Sequence, residues 1–125
     1  MCNPWIYRAP AIGWGFLILY ACLLPARKLY SPYSIEINDK FIHFVLYFSW
    51  SILIYFASSR AYRRIIHSKK VLMYWFAAIV VGGFIEFMQY LMELGRNADV
   101  LDALANVAGM TTGIFCSRLI HRISK

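Results

Sequence analysis

The chain has 125 residues, of which 61% are hydrophobic, 18% are aromatic and only 15% are charged, and its net charge is +7. So few charged side chains exclude an ordinary soluble domain. The sequence therefore predicts an integral membrane protein without a separate soluble domain, because each membrane-spanning helix takes about 20 residues.

Four apolar stretches follow one another along the chain, each long enough to cross a bilayer. Pro10 suits the first turn of the first helix, and Pro25 marks its end. We expect spans at about residues 10–25, 40–58, 71–94 and 99–119. The predicted fold is an all-α, integral membrane four-helix bundle that forms a single membrane domain over residues 1–125.

The positions of the basic residues predict the orientation of the bundle. Most of the 13 Lys and Arg residues lie near the two termini or in the loop at residues 60–70. By the positive-inside rule, both termini and this loop face the cytoplasm. The beginnings of spans two and four and the end of span three therefore face the outside.

Polar side chains recur at helical spacing where the second and fourth spans begin. In each span they occupy positions i, i+3 and i+7, which lie on one face of a helix. Polar groups are uncomfortable in lipid, so we expect these faces to turn inward onto one another. The two stripes are Lys40, His43 and Tyr47 in span two, and Asp99, Asp102 and Asn106 in span four.

Glu86 lies in the outer third of span three, roughly 22 Å from its inner end at about 1.5 Å per residue. A charged side chain within a span costs roughly 2.5 to 3.5 kcal/mol unless it is paired or used. Lys40, His43 and Arg96 are within reach at that depth, and Gln89 lies one turn nearer the surface. We therefore expect one outward-facing polar site built from three helices.

Each of these residues also has a structural interpretation. Asp99 is suited to cap the start of a helix, and Lys40 to anchor a helix end at the membrane surface. Gln89 and Asn106 are suited to hydrogen bonding between helices. The Gly109-x-x-x-Gly113 motif predicts close helix packing.

The polar residues form a combined pattern across spans two to four. It reads Asp39-Lys40-x-x-His43-Phe44-x-x-Tyr47, then Glu86-x-x-Gln89, then Arg96-x-x-Asp99-x-x-Asp102-x-x-x-Asn106-x-x-Gly109-x-x-x-Gly113. This pattern resembles the VanZ-like family, which is named for a member linked to teicoplanin resistance. The resemblance implies a multi-pass, mostly helical protein of the bacterial cytoplasmic (inner) membrane, with no settled reaction. One departure is Asn97-Ala98, where small or hydroxyl residues are often found.

Two functions follow from the residues and the resemblance. In the first, the outer site recognises a lipid-linked envelope component or a lipoglycopeptide, with Lys40, Arg96 and protonated His43 meeting its anionic groups. In the second, a membrane hydrolase or transferase acts on a lipid-linked phosphate, with Glu86 and His43 as acid and base. No serine or cysteine stands beside a base, so we expect a binding protein rather than an enzyme.

The expected partners are membrane lipids and an anionic lipid-linked envelope precursor, and nucleic acid is excluded. A proton-linked transporter of four spans would require a homo-oligomer. We expect no cofactor and no metal ion, because no His-x-x-x-His spacing is present. The expected ligand-binding residues are Lys40, His43, Tyr47, Glu86, Gln89, Arg96, Asp99, Asp102 and Asn106, with Glu86 and His43 as catalytic candidates.

Overall fold

The computed structural model describes residues 3–24, 39–62, 68–92 and 99–124, and each of these ranges contains one α-helix and no strand. The helices are α1 (Pro4–Leu23), α2 (Asp39–Tyr62), α3 (Ser68–Leu91) and α4 (Val100–Ile123). All four are long and apolar enough to cross a membrane. The predicted all-α fold with four spans is confirmed, and the orientation of the termini stays a prediction.

The first helix begins earlier than its span was predicted to begin. The side chain of Asn3 accepts a hydrogen bond from the backbone N–H of Trp5 at 3.1 Å, and Pro4 occupies the first turn. Both features favour a helix start. Pro10 therefore lies inside α1 and not at its beginning.

Gly109 and Gly113 allow α4 to lie directly against the backbone of α2. A Cβ atom at Gly109 would collide with the carbonyl oxygen of Phe44, and one at Gly113 would lie 2.6 Å from that of Phe48. The predicted close packing at these glycines is confirmed, and α2 and α4 make the most extensive helix pair in the bundle. The contacts advance in the same direction along both helices, so α2 and α4 are parallel and enter the membrane from the same side.

Two tryptophans attach α1 to α2. The indole N–H of Trp14 donates to the carbonyl oxygen of Leu46 at 3.0 Å, and the indole N–H of Trp50 donates to that of Ala11 at 2.8 Å. Each bond joins an indole of one helix to a backbone carbonyl of the other. The two bonds therefore hold α1 and α2 at one axial position relative to each other.

All four helices contribute to one shared core. Ile18, Tyr47, Ile85 and Met110 come from α1, α2, α3 and α4 in turn, and each is no more than 1% exposed. They belong to the same cluster of buried residues. This shared core fixes the four helices relative to one another, and with them the positions of the polar residues near the beginnings of α2 and α4.

Candidate functional site

Polar side chains from three helices meet at the end of the bundle where α2 and α4 begin and α3 ends. His43 is 1% exposed and Asn106 is 3% exposed, although both carry groups that water would otherwise solvate. Buried polar groups of this kind are retained where they find partners. We call the following residues the polar cluster: Lys40, His43, Tyr47, Glu86, Asp99, Asp102 and Asn106.

Lys40 connects the beginnings of α2 and α4. Its Nζ lies 2.8 Å from Oδ2 of Asp99 and 3.7 Å from Oδ1 of Asp102. Oδ1 of Asp99 accepts a hydrogen bond from the backbone N–H of Leu101, which caps α4. The hydrogen bond from Lys40, and then the one from Leu101, hold the pKa of Asp99 below its ordinary value. Asp99 thus serves as a helix cap and as a member of the polar cluster.

Glu86 connects α3 to the beginning of α4. Its Oε2 accepts a hydrogen bond from the backbone N–H of Asp99 at 3.1 Å, and the residue is 9% exposed. Backbone N–H groups at a helix start lack partners within the helix, and the helix dipole favours negative charge there. The sequence did not predict this backbone partner, because residue spacing carries no signal for it.

His43 is held by Asn106 in the interior of the bundle. Nδ1 of His43 donates to Oδ1 of Asn106 at 3.0 Å. An amide oxygen only accepts hydrogen bonds, so Nδ1 carries a proton in this contact, and in a neutral ring the lone pair is therefore on Nε2. The contact thereby selects one tautomer of the ring.

Gly82 makes room for two buried polar atoms. Oη of Tyr47 and Nδ2 of Asn106 have no hydrogen-bond partner among the described residues. A Cβ atom at Gly82 would lie 3.0 Å from Nδ2 and 3.5 Å from Oη, so both atoms face the same point of α3. Leaving such groups unsatisfied costs about 1 to 3 kcal/mol each, and a polar atom of a ligand is suited to satisfy both. Sequence reasoning missed Gly82, although a glycine one turn before Glu86 inside a span was a usable signal.

The matched family supports the resemblance seen in the motifs. A family model described as VanZ/LLP1 matches residues 9–121, which reach into all four helices and include the whole polar cluster. The chain belongs to the VanZ/LLP1 family. No curated protein and no solved structure matches it. Family membership and four candidate spans together make it a multi-pass membrane protein.

One predicted site residue of this VanZ/LLP1 protein, Gln89, stands apart from the polar cluster. Gln89 is 2% exposed, and its Nε2 donates to the carbonyl oxygen of Cys22 in α1 at 2.7 Å. Its structural interpretation, a hydrogen bond between helices, is therefore confirmed. Arg96 lies outside the described residues, so its part in the site stays a prediction.

An apolar groove of about 320 Å³ lies beside the polar cluster of the VanZ/LLP1 protein, between α1, α2 and α3. Leu19, Trp50 and Val81 are among the residues that line it. The ring of Trp50 meets the ring of Tyr47 edge-on, with 5.7 Å between the ring centroids. Tyr47 is therefore the member of the polar cluster that contacts the wall of the groove.

Proposed function

We propose that this VanZ/LLP1 protein is a binding protein of the bacterial cytoplasmic membrane. Its polar cluster recognises, at the outer leaflet, the head of a lipid-linked envelope component or of a lipoglycopeptide. Such recognition would contribute to glycopeptide (teicoplanin) resistance, the property for which the family is named. One observation carries the proposal. Oη of Tyr47 and Nδ2 of Asn106 are buried beside Gly82, and neither has a hydrogen-bond partner among the described residues.

The location of the polar cluster favours an amphiphilic ligand. The cluster lies at the end of the bundle where α2 and α4 begin, which for helices of this length is close to one surface of the membrane. The side chains around it that face outward are apolar, with Phe41 61% exposed and Val100 76% exposed. A ligand that reaches the cluster through this surface has both a polar head and a hydrocarbon part.

The chemistry of the polar cluster favours recognition by hydrogen bonds. Tyr47 offers a hydroxyl that donates or accepts, and Asn106 offers an amide N–H, which suit the carbonyl, hydroxyl and amide groups of sugars and peptides. Lys40 is already engaged by Asp99 at 2.8 Å. Electrostatic attraction of an anionic head is therefore assigned to Arg96, as the sequence predicts.

The apolar groove is suited to the hydrocarbon chain of the same ligand. Trp50 forms part of the groove wall and packs on Tyr47, so the two regions adjoin. A chain in the groove would leave its head beside the polar cluster. The proposal therefore commits the groove to one occupant, the hydrocarbon part of the recognised lipid.

Catalysis is the competing hypothesis, and the polar cluster offers little for it. None of its residues is a serine or cysteine that a base would activate. Nδ1 of His43 is occupied by Asn106. An enzyme at this cluster would have to use water as nucleophile, with Glu86 or His43 as base.

Native mass spectrometry of the protein purified in mild detergent tests the proposal. We expect a specific lipid on the wild type and on Glu86→Gln, because glutamine retains an acceptor oxygen for the backbone N–H of Asp99. We expect Gly82→Ala to lose the lipid, because its Cβ would occupy the point that Tyr47 and Asn106 face. The matched control is Gly83→Ala, where a Cβ meets nothing within 4 Å.

Three outcomes would contradict the proposal. One is the absence of any specific lipid on the wild type. Another is equal loss of lipid from the Gly82→Ala and Gly83→Ala variants. The third is a bound lipid whose mass changes on incubation with the wild type but not with Glu86→Gln, which would establish an enzyme.

A second pair of variants tests the groove. Val81→Phe adds an aromatic ring to the groove lining and is expected to displace the hydrocarbon chain, which lowers lipid retention. Val80→Phe is the matched control, because Val80 is 54% exposed on the neighbouring face of α3. Equal retention by the two variants would remove the groove from the proposal.

A further inference from the structure

We infer that Asp39, His43 and Asp102 bind a divalent metal ion of the first transition series, such as Zn²⁺ or Mn²⁺. A ring nitrogen of His43 and one carboxylate oxygen from each aspartate lie within 4.8 Å of one another. Asp39 and His43 are one turn apart on α2, and Asp102 lies in the first turn of α4. The sequence predicted no metal ion, because it has no His-x-x-x-His spacing, whereas this set combines two residues of α2 with one of α4.

The donor set suits such an ion. Carboxylate oxygens and imidazole nitrogens are its usual ligands, and the imidazole disfavours Mg²⁺ and Ca²⁺. Bonds of about 2.0 to 2.2 Å place the ligand atoms of a tetrahedral site roughly 3.4 Å apart. The three side chains therefore need to move inward by only about 1 Å or less to reach this arrangement.

Asp102 points to a cation independently of the clustering. It is 6% exposed and directs a carboxylate oxygen into the set, yet its Oδ1 accepts no hydrogen bond from the described residues. Lys40 remains 3.7 Å from this oxygen because its ammonium is bound to Asp99 at 2.8 Å. A buried carboxylate oxygen that accepts no hydrogen bond is stabilised by a closer positive charge, which a metal ion would supply.

His43 is held in a tautomer that can bind a metal ion through its second ring nitrogen. Its Nδ1 donates to Oδ1 of Asn106, which leaves the lone pair on Nε2. Histidines that bind metals commonly use one ring nitrogen for the ion and the other for an oriented oxygen acceptor. Asn106 is thus a positioning residue for the ring of His43, and Nε2 is the nitrogen that this contact leaves for the ion.

The local charge also favours a divalent cation. Among the described residues at this end of the bundle, Asp39, Glu86, Asp99 and Asp102 carry carboxylates and Lys40 carries an ammonium, while Arg96 lies outside the described residues. A bound divalent ion would offset much of that negative charge. The inference goes beyond the proposed function, since metal binding here neither requires nor presupposes a bound lipid.

Calorimetric titration of the detergent-purified, metal-free protein with Zn²⁺ or Mn²⁺ alone tests the inference. We expect one ion per chain in the wild type. Asp39→Asn and Asp102→Asn should each weaken binding by at least about tenfold, since loss of even an outer partner of a ligand has that effect. His121→Gln, which removes an imidazole at the opposite end of α4, should leave binding unchanged.

Lys40→Met should change the affinity for the metal ion in the opposite direction. It removes the ammonium that competes for Asp102, so we expect tighter metal binding, which a merely damaged fold would not produce. Should Asp102→Asn fail to fold, Asp39→Asn still decides the question, because Asp39 lies at the half-buried start of α2. The inference is overturned if the wild type binds no ion, or if Asp39→Asn binds as tightly as the wild type.

Discussion

Nζ of Lys40 lies 2.8 Å from Oδ2 of Asp99, and this ion pair joins the first turn of α2 to the cap of α4. The pair holds the beginnings of two parallel helices side by side. Further into the bundle, one turn along α2 and two turns along α4, His43 and Asn106 are in contact across the same pair of helices. The polar contacts between α2 and α4 therefore begin at this ion pair and continue into the bundle.

The Lys40 to Asp99 pair predicts a loss of stability in acid. The pKa of Asp99 is lowered in the folded protein, so the pair's contribution is complete above the ordinary aspartate pKa and is lost as the pH falls through the lowered value. We expect Asp99→Asn, which retains a good helix cap, to unfold at a slightly lower temperature than the wild type at pH 7. The difference should shrink in thermal unfolding scans as the pH falls below the ordinary aspartate pKa and through the lowered one, and a difference that stays constant with pH would contradict the prediction.

Gly109 is predicted to tolerate no side chain. Because its Cβ would meet the backbone of α2 at Phe44, Gly109→Ala should lower the free energy of unfolding by about 1 to 3 kcal/mol or more. Gly13→Ala is the control, since a Cβ there meets nothing within 4 Å and should be neutral or stabilising by up to about 1 kcal/mol. Denaturation in mixed micelles measures both, and similar effects of the two variants would refute the packing argument.

Asn106 is predicted to matter more than a polar residue of α4 that faces outward. Asn106→Leu leaves Nδ1 of His43 without its acceptor in the interior, at a cost of about 1 to 3 kcal/mol in unfolding free energy. Thr112→Leu is the control, because Thr112 is exposed and its hydroxyl donates to the carbonyl of Ala108 in its own helix. Chemical denaturation followed by tryptophan fluorescence should separate the two variants.

The orientation predicted from the basic residues is open to a labelling test. Cysteines introduced at Ser34 and Asn97, in a chain whose natural cysteines are replaced, should react with a membrane-impermeant maleimide added outside intact cells. A cysteine at Lys69 should react only after the membrane is opened. The reverse pattern would place the polar cluster at the inner leaflet and would overturn the outer-leaflet proposal.

Hydrophobicity and helical spacing were sufficient to predict the class of protein. The four spans, the family, the close packing at Gly109 and Gly113 and the capping by Asp99 are all local or periodic properties, which a sequence carries directly. The inward convergence of the two polar stripes also follows, because lipid does not tolerate unpaired polar groups. Helix ends were less predictable, since Asn3 and Pro4 start α1 well before Pro10.

The partners of individual side chains were decided by the tertiary structure. The backbone N–H that binds Glu86, the space that Gly82 leaves for Tyr47, and the approach of Asp102 to His43 all depend on how far each helix is rotated and shifted along its axis. Periodicity identifies the face of a helix but contains neither its rotation nor its axial position against a neighbour. Close contact at the glycines and the tryptophan hydrogen bonds set those two quantities, and with them the geometry of the polar cluster.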